Sequence, residues 1–92
     1  MADDLHARFL QAKDDVVKLS EAPDNLIKLK LYALFKQSTD GDCTGARPGM
    51  MDFVGRAKYD AWKEFEGKSK DEAMQLYIDT VEDLKAKDAA KG

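Results

Sequence analysis

One cysteine, Cys43, leaves this 92-residue chain without an internal disulfide, which fits a reducing, cytosolic compartment. One histidine, His6, has no second His or Cys near it in sequence and reads as an exposed helix residue rather than a metal ligand. No apolar run approaches the roughly 20 residues of a membrane-spanning helix. The opening Met-Ala-Asp-Asp-Leu-His is acidic and polar, unlike a secretory signal. Gly-x-Ser-x-Gly, a phosphate-binding glycine loop and Cys-x-x-Cys are all missing, so the common catalytic patterns are excluded. Asp40, Asp42 and Thr44 lack the twelve-residue calcium-loop pattern and its terminal Glu.

What is there is a charged, moderately apolar chain. Lys and Arg number 15 against 18 Asp and Glu, for a net charge of −3; 43% of residues are hydrophobic and 36% charged. That balance suits one domain over residues 1–92 and argues against nucleic acid as a partner. The charge is unevenly spread. Residues 26–63 carry seven basic and four acidic side chains, while the flanking segments are each net −3. A basic middle between acidic ends fits an anion site, and equally the ordinary fluctuation of charge along a short chain.

Leu5, Phe9, Ala12, Val16 and Leu19 make one helical stripe. Ser20-Glu21-Ala22-Pro23 breaks it, and Pro23 can open a second helix over about Asp24–Ser38. Leu26, Ile27, Leu29, Leu31, Tyr32, Ala33, Leu34 and Phe35 cover most of that helix's surface. It is therefore central to the core, or it packs with one face and lines a pocket with another. Residues 39–52, with Gly41, Gly45, Pro48 and Gly49, form a long connection. At least one of Met50 and Met51 is expected to pack inward or against a ligand. A third helix spans about Phe53–Glu66 with Asp52 as its cap, and Gly67 ends it. Ser69-Lys70-Asp71-Glu72 is a capping box for a fourth helix reaching about Lys87, with a frayed tail over 88–92.

Tyr32 and Lys36 share a helix face, Lys58, Tyr59 and Trp62 cluster on the third helix, and Tyr77 lies on the core side of the fourth. Lysine charge, tyrosine hydroxyl and aromatic faces suit the phosphate, ribose and base of a nucleotide. Aromatics in a core with lysines at its rim would produce the same pattern.

Longer motifs narrow the choice. Leu31-Tyr32-Ala33-Leu34-Phe35-Lys36-Gln37-Ser38-Thr39-Asp40-Gly41-Asp42 resembles the Tyr-x-x-Tyr-Lys-Gln-x-Thr-x-Gly-Asp signature of the acyl-CoA-binding protein family. Arg47-Pro48-Gly49-Met50-Met51-Asp52-Phe53 and Gly55-Arg56-Ala57-Lys58-Tyr59-Asp60-Ala61-Trp62 resemble its next two motifs. Gly67-Lys68-Ser69-Lys70-Asp71-Glu72-Ala73-Met74 and Tyr77 complete a likeness over about residues 5–87. The resemblance implies an all-α four-helix bundle, up-down-down-up, with a long overhand loop between the second and third helices. It also implies non-catalytic binding and cytoplasmic transport of medium- to long-chain acyl-CoA by a monomer that meets acyl-CoA-using enzymes or membranes transiently. No cofactor or metal is implied. Tyr32, Lys36, Lys58 and Tyr77 match the family's ligand contacts, Phe35 stands at its second signature tyrosine, and Met50 would cover the acyl chain.

Four positions depart from the pattern. Phe35 lacks the tyrosine hydroxyl, Tyr59 replaces a tryptophan, and Val17 and Val54 stand where basic residues are frequent. From periodicity alone, a helical module whose groove takes an amphipathic partner helix is the alternative.

Overall fold

The structure, a computed structural model, describes residues 2–91, and local signals account for where its helices begin. The order is α1 (Ala2–Val16), α2 (Asn25–Asp40), α3 (Phe53–Lys63) and α4 (Lys70–Lys91). The Asp24 side chain accepts from the Ile27 amide at 2.9 Å and caps α2. Asp52 does the same for the Gly55 amide of α3, also at 2.9 Å. Ser69 and Glu72 form the expected reciprocal box: the Glu72 amide donates to Ser69 Oγ, and the Ser69 amide donates to Glu72 Oε1. Each cap satisfies amides that the first helical turn leaves without partners.

The ends differ from the periodicity reading in five places. The stripe through Leu19 outlasts α1, because the Lys18 amide turns back to the Asp15 carbonyl at 3.0 Å. Pro23 precedes the cap of α2 instead of opening the helix, and α2 runs two residues further, to Asp40. There Gly41, with φ 84°, closes it on the Gln37 carbonyl, a backbone conformation that favours glycine. α3 stops at Lys63, not Glu66, since after the Glu64 cap the Phe65 and Glu66 amides bond three residues back. The expected fray over 88–92 is helix through Lys91; Gly92 lies outside the described residues. Side-chain ties reach this last segment, from Lys85 to Asp15 at 3.0 Å and from Ser20 to Asp88.

The direction of each helix follows from which residues meet. Phe9 meets Tyr77 and Asp15 meets Lys85, so α1 and α4 run parallel. Tyr32 meets Lys58 and Lys36 meets Trp62, so α2 and α3 also run parallel. Gln37 reaches Lys68 while Ile27 and Leu84 line one cavity, so α2 and α4 are antiparallel. The result is up-down-down-up. Two parallel neighbours require a connection that returns along the helix length, which is why residues 41–52 form a long overhand loop.

The core gathers Phe9 and Ala12 from α1, Leu31 and Leu34 from α2, and Ala73, Tyr77, Ile78 and Val81 from α4. Helix α3 contributes no buried residue and packs against α2 alone among the helices. Helix α2 is thus central and also presents a second apolar side to α3. No helix among the described residues is long and apolar enough to cross a membrane.

A polar hub fixes α3 in place. Fully buried Gln37 donates to Asp42 and to the Lys68 carbonyl, both at 2.8 Å. Trp62 Nε1 donates to Gln37 Oε1 at 3.1 Å and to the Gly41 carbonyl at 2.9 Å. The Gly67 amide donates to Asp42 at 2.8 Å. That backbone bond first, and the Gln37 amide second, hold the Asp42 carboxyl below the ordinary aspartate pKa. A carboxyl whose folded pKa is depressed adds stability that is present above its unfolded value, about 3.9, and lost as pH falls through the folded one. The melting temperature should therefore drop below about pH 4, and Asp42→Asn should flatten part of that acid limb. Identical acid limbs for variant and wild type would assign the sensitivity to other carboxylates, such as Asp15 or Asp60, whose pKa values are also depressed.

Candidate functional site

Because α3 lies outside the core, its apolar side and that of α2 leave a cleft between them. Asn25, Lys28, Leu29 and Tyr32 form one wall, and Phe53, Val54, Ala57 and Lys58 the other, around about 410 Å³. Lys58 Nζ lies 5.2 Å from the centre of the Tyr32 ring. Phe53 and Val54 are largely exposed and extend the apolar wall to the surface.

The loop feeding α3 is held by polar clamps. Arg47 pairs bidentately with Asp60, through Nε at 3.0 Å and Nη2 at 2.6 Å. The Tyr59 hydroxyl donates to the Gly45 carbonyl at 3.1 Å. A Cβ at Gly55 would collide with the Asp52 cap, its Cγ lying only 2.7 Å away, so glycine there keeps the start of α3 intact. With the loop secured this way, its methionines do not pack inward: Met50 is 76% and Met51 88% exposed. The expectation of an inward methionine is corrected. They precede Phe53, which lines the cleft, by three and two residues.

The other predicted residues divide by helix. Lys36 is not among the cleft-lining residues; it pairs with Asp40 at 2.6 Å and lies 5.2 Å over the Trp62 ring. Its hydrogen bond to Asp40 raises the ammonium pKa above the ordinary lysine value. Phe35 faces α1, stacked on Phe9 with ring centres 6.3 Å apart. Tyr77 is buried, edge-on to Phe9 at 5.1 Å, and burial pushes its hydroxyl pKa up, so it remains a donor at neutral pH. It lines a second cavity of about 430 Å³ with Val16, Val17, Leu19, Ala22, Pro23, Lys28 and Leu31. Tyr32 and Lys58 thus share one cavity, Tyr77 occupies the next, and Phe35 and Lys36 sit on α2 near them.

Two cations escaped the sequence reading. Lys28 lines both cavities and joins them; its place four residues before Tyr32 put it on the same face. Lys13 Nζ lies 4.8 Å from the Phe35 ring centre and 5.6 Å from that of Phe9, four residues along α1 from Phe9. Such cation–ring contacts are worth about 0.5–1 kcal/mol each at exposed sites. Lys13, Lys28 and Lys58 have no carboxylate ion pair among the described residues. The arrangement offers positive charge, hydroxyl donors and aromatic faces beside an apolar cleft. Among the described residues, no group of three His, Cys, Asp or Glu side chains is placed to hold a metal.

Comparison with known proteins bears on what such a site takes. The family model described as acyl CoA binding protein matches residues 6–81. Acyl-CoA-binding protein homolog 1 of Caenorhabditis elegans is 49% identical over 79 residues, 86% of this chain and 92% of that protein. Enoyl-CoA delta isomerase 2 of Rattus norvegicus is 44% identical over 82 residues, 89% of this chain; the chain spans only 21% of that protein's length. The crystal structure of Oryza sativa acyl-CoA-binding protein 2 superposes with a TM-score of 0.90 at 41% identity, covering 96% of this chain and 98% of that one.

Proposed function

Since the chain belongs to the acyl-CoA-binding protein family, we propose that the α2–α3 cleft and its lysine rim bind medium- to long-chain acyl-CoA, one ligand per 92-residue domain. The observation that carries this reading is the union of Tyr32 and Lys58 with an apolar wall of Leu29, Phe53, Val54 and Ala57 in a single cleft. A thioester of CoA needs both, an anionic head and an aliphatic tail. Lys36, Lys58 and the Tyr32 and Tyr77 hydroxyls hold the head, above all the ribose 3′-phosphate, and Met50 and the α2–α3 walls cover the chain. The protein acts as a monomeric cytoplasmic carrier without catalysis, handing its ligand to enzymes or membranes in transient encounters.

The deciding titration compares palmitoyl-CoA, palmitate and free CoA. Binding should be far tighter for the thioester than for the fatty acid, because a fatty-acid carboxylate carries one negative charge where the CoA head carries several on its phosphates. Equal affinities would reject the head-group assignment, and a protein indifferent to all three would reject the function.

Lys36→Ala should weaken acyl-CoA binding by roughly 1.5–3 kcal/mol, or about tenfold to a hundredfold. Melting should change little, since the Lys36–Asp40 pair is half-exposed and spaced i,i+4, and such helix pairs contribute only about 0.3–0.5 kcal/mol. Early melting with normal binding would make Lys36 structural.

A further inference from the structure

We propose that Lys13 is a third phosphate-binding cation of this site, serving at the Phe35 position in place of the hydroxyl that a tyrosine there would carry. The proposal rests on the acyl-CoA reading and adds a residue from a third helix. Tyr32, Phe35 and Lys36 lie three and four residues apart on one side of α2. Each is met from elsewhere. Lys58 of α3 reaches the Tyr32 ring, Lys36 itself lies over Trp62 of α3, and Lys13 of α1 reaches the Phe35 ring. Three ammonium groups from three helices therefore surround one stretch of α2, a concentration of charge that matches a phosphate monoester dianion better than a single carboxylate.

Lys13 is also uncompensated. Its neighbours in sequence, Asp14 and Asp15, are engaged elsewhere: Asp14 faces Lys18, and Asp15 accepts from Gln11 and pairs with Lys85. The half-buried lysine rests on two aromatic rings with no carboxylate partner among the described residues. It stands four residues before Val17, which lies just past the end of α1 and is one of the positions where the resemblance leads one to expect a basic residue. One lysine thus answers two departures, the absent cation at Val17 and the absent hydroxyl at Phe35. Its flexible stem can swing the ammonium from the ring face to an anion beside it.

The test is calorimetric titration of wild type, Lys13→Met and Lys13→Arg with dodecanoyl-CoA and with its 3′-dephospho counterpart. Lys13→Met should bind dodecanoyl-CoA about tenfold more weakly and the dephospho thioester as well as wild type does. Lys13→Arg should stay close to wild type on both. Adding Phe35→Tyr to Lys13→Met should recover most of the loss. Lys13→Gln makes the same comparison if the methionine lowers the melting temperature. A Lys13→Met protein equal to wild type on both ligands, or weakened equally on both, overturns the proposal and leaves acyl-CoA binding intact. A wild type that binds neither thioester overturns the functional reading instead, and this one with it.

Discussion

Lengthening the acyl chain from about eight to about twelve carbons should tighten binding by up to roughly 3 kcal/mol, because each methylene leaving water for an apolar wall contributes about 0.8 kcal/mol. The walls exist before any ligand arrives. Leu29 and Ala57 are half-buried in the cleft, while Phe53 and Val54 remain largely exposed. A chain laid along them removes its own surface from water and theirs together. The gain must stop where the cleft ends, since this cleft encloses about 410 Å³ and further carbons emerge into solvent. Affinity should therefore climb with length and then level off. Met50→Asp should blunt the climb and spare free CoA binding; the exposed Met50 side chain can be exchanged without disturbing the core. A calorimetric series that is flat from short to long chains would leave the tail in water and make the protein a binder of the CoA head alone.

Gln37→Ala should destabilise the fold by about 2–5 kcal/mol, the range for emptying a fully buried side-chain site. Gln37 is wholly buried and joins three segments: it donates to Asp42 in the overhand loop and to the Lys68 carbonyl before α4, and accepts from Trp62 on α3. Its loss leaves the Lys68 carbonyl without that donor and opens a void between α2 and α3. For a domain this size, each kcal/mol corresponds to about 4–8 °C in melting temperature, so a fall of at least about 8 °C is expected. Gln37→Leu keeps much of the volume and should fall between alanine and wild type. A melting temperature for Gln37→Ala within about two degrees of wild type would mean that water replaces the amide at no cost and that the hub is not structural. Thioester affinity should fall with it, because Trp62, which carries Lys36 on its ring face, loses one of its two acceptors.

Gln37 also separates what the motifs reveal from what they conceal. Gln37, Gly41, Asp42, Arg47, Asp52, Gly55, Asp60 and Trp62 all sit in the stretches that resemble the family. As a string they read as one binding signature beside Tyr32 and Lys36. In the fold they divide. Arg47 spends its charge on Asp60, Asp52 on the α3 cap, and Asp42 on the Gly67 amide and Gln37, so these residues build the frame. Nothing in residue type or spacing marks that division, because Arg47 to Asp60 and Gln37 to Lys68 are contacts between distant segments. The loop methionines stay outside for a related reason. Hydrophobicity indicates that Met50 should be covered, but the clamps at Arg47, Tyr59 and Asp52 hold its loop so that its side chain stays outside.

Local interactions determined what the sequence alone could determine. The number of helices, the caps at Asp52 and Ser69, and the core faces of α1 and α4 all depend on neighbours within four residues, and each is written in the spacing of apolar and capping side chains. The acyl-CoA-binding signature is likewise a matter of order along the chain. Tertiary structure alone decided that α3 stands off the core, that the cleft against α2 stays open, and that Lys13 comes to rest on Phe35. Those outcomes depend on how helices far apart in sequence share a limited volume. Packing of α2 against α4 takes the buried face, the Gln37 hub sets the reach of α3, and the space left between them becomes the cleft.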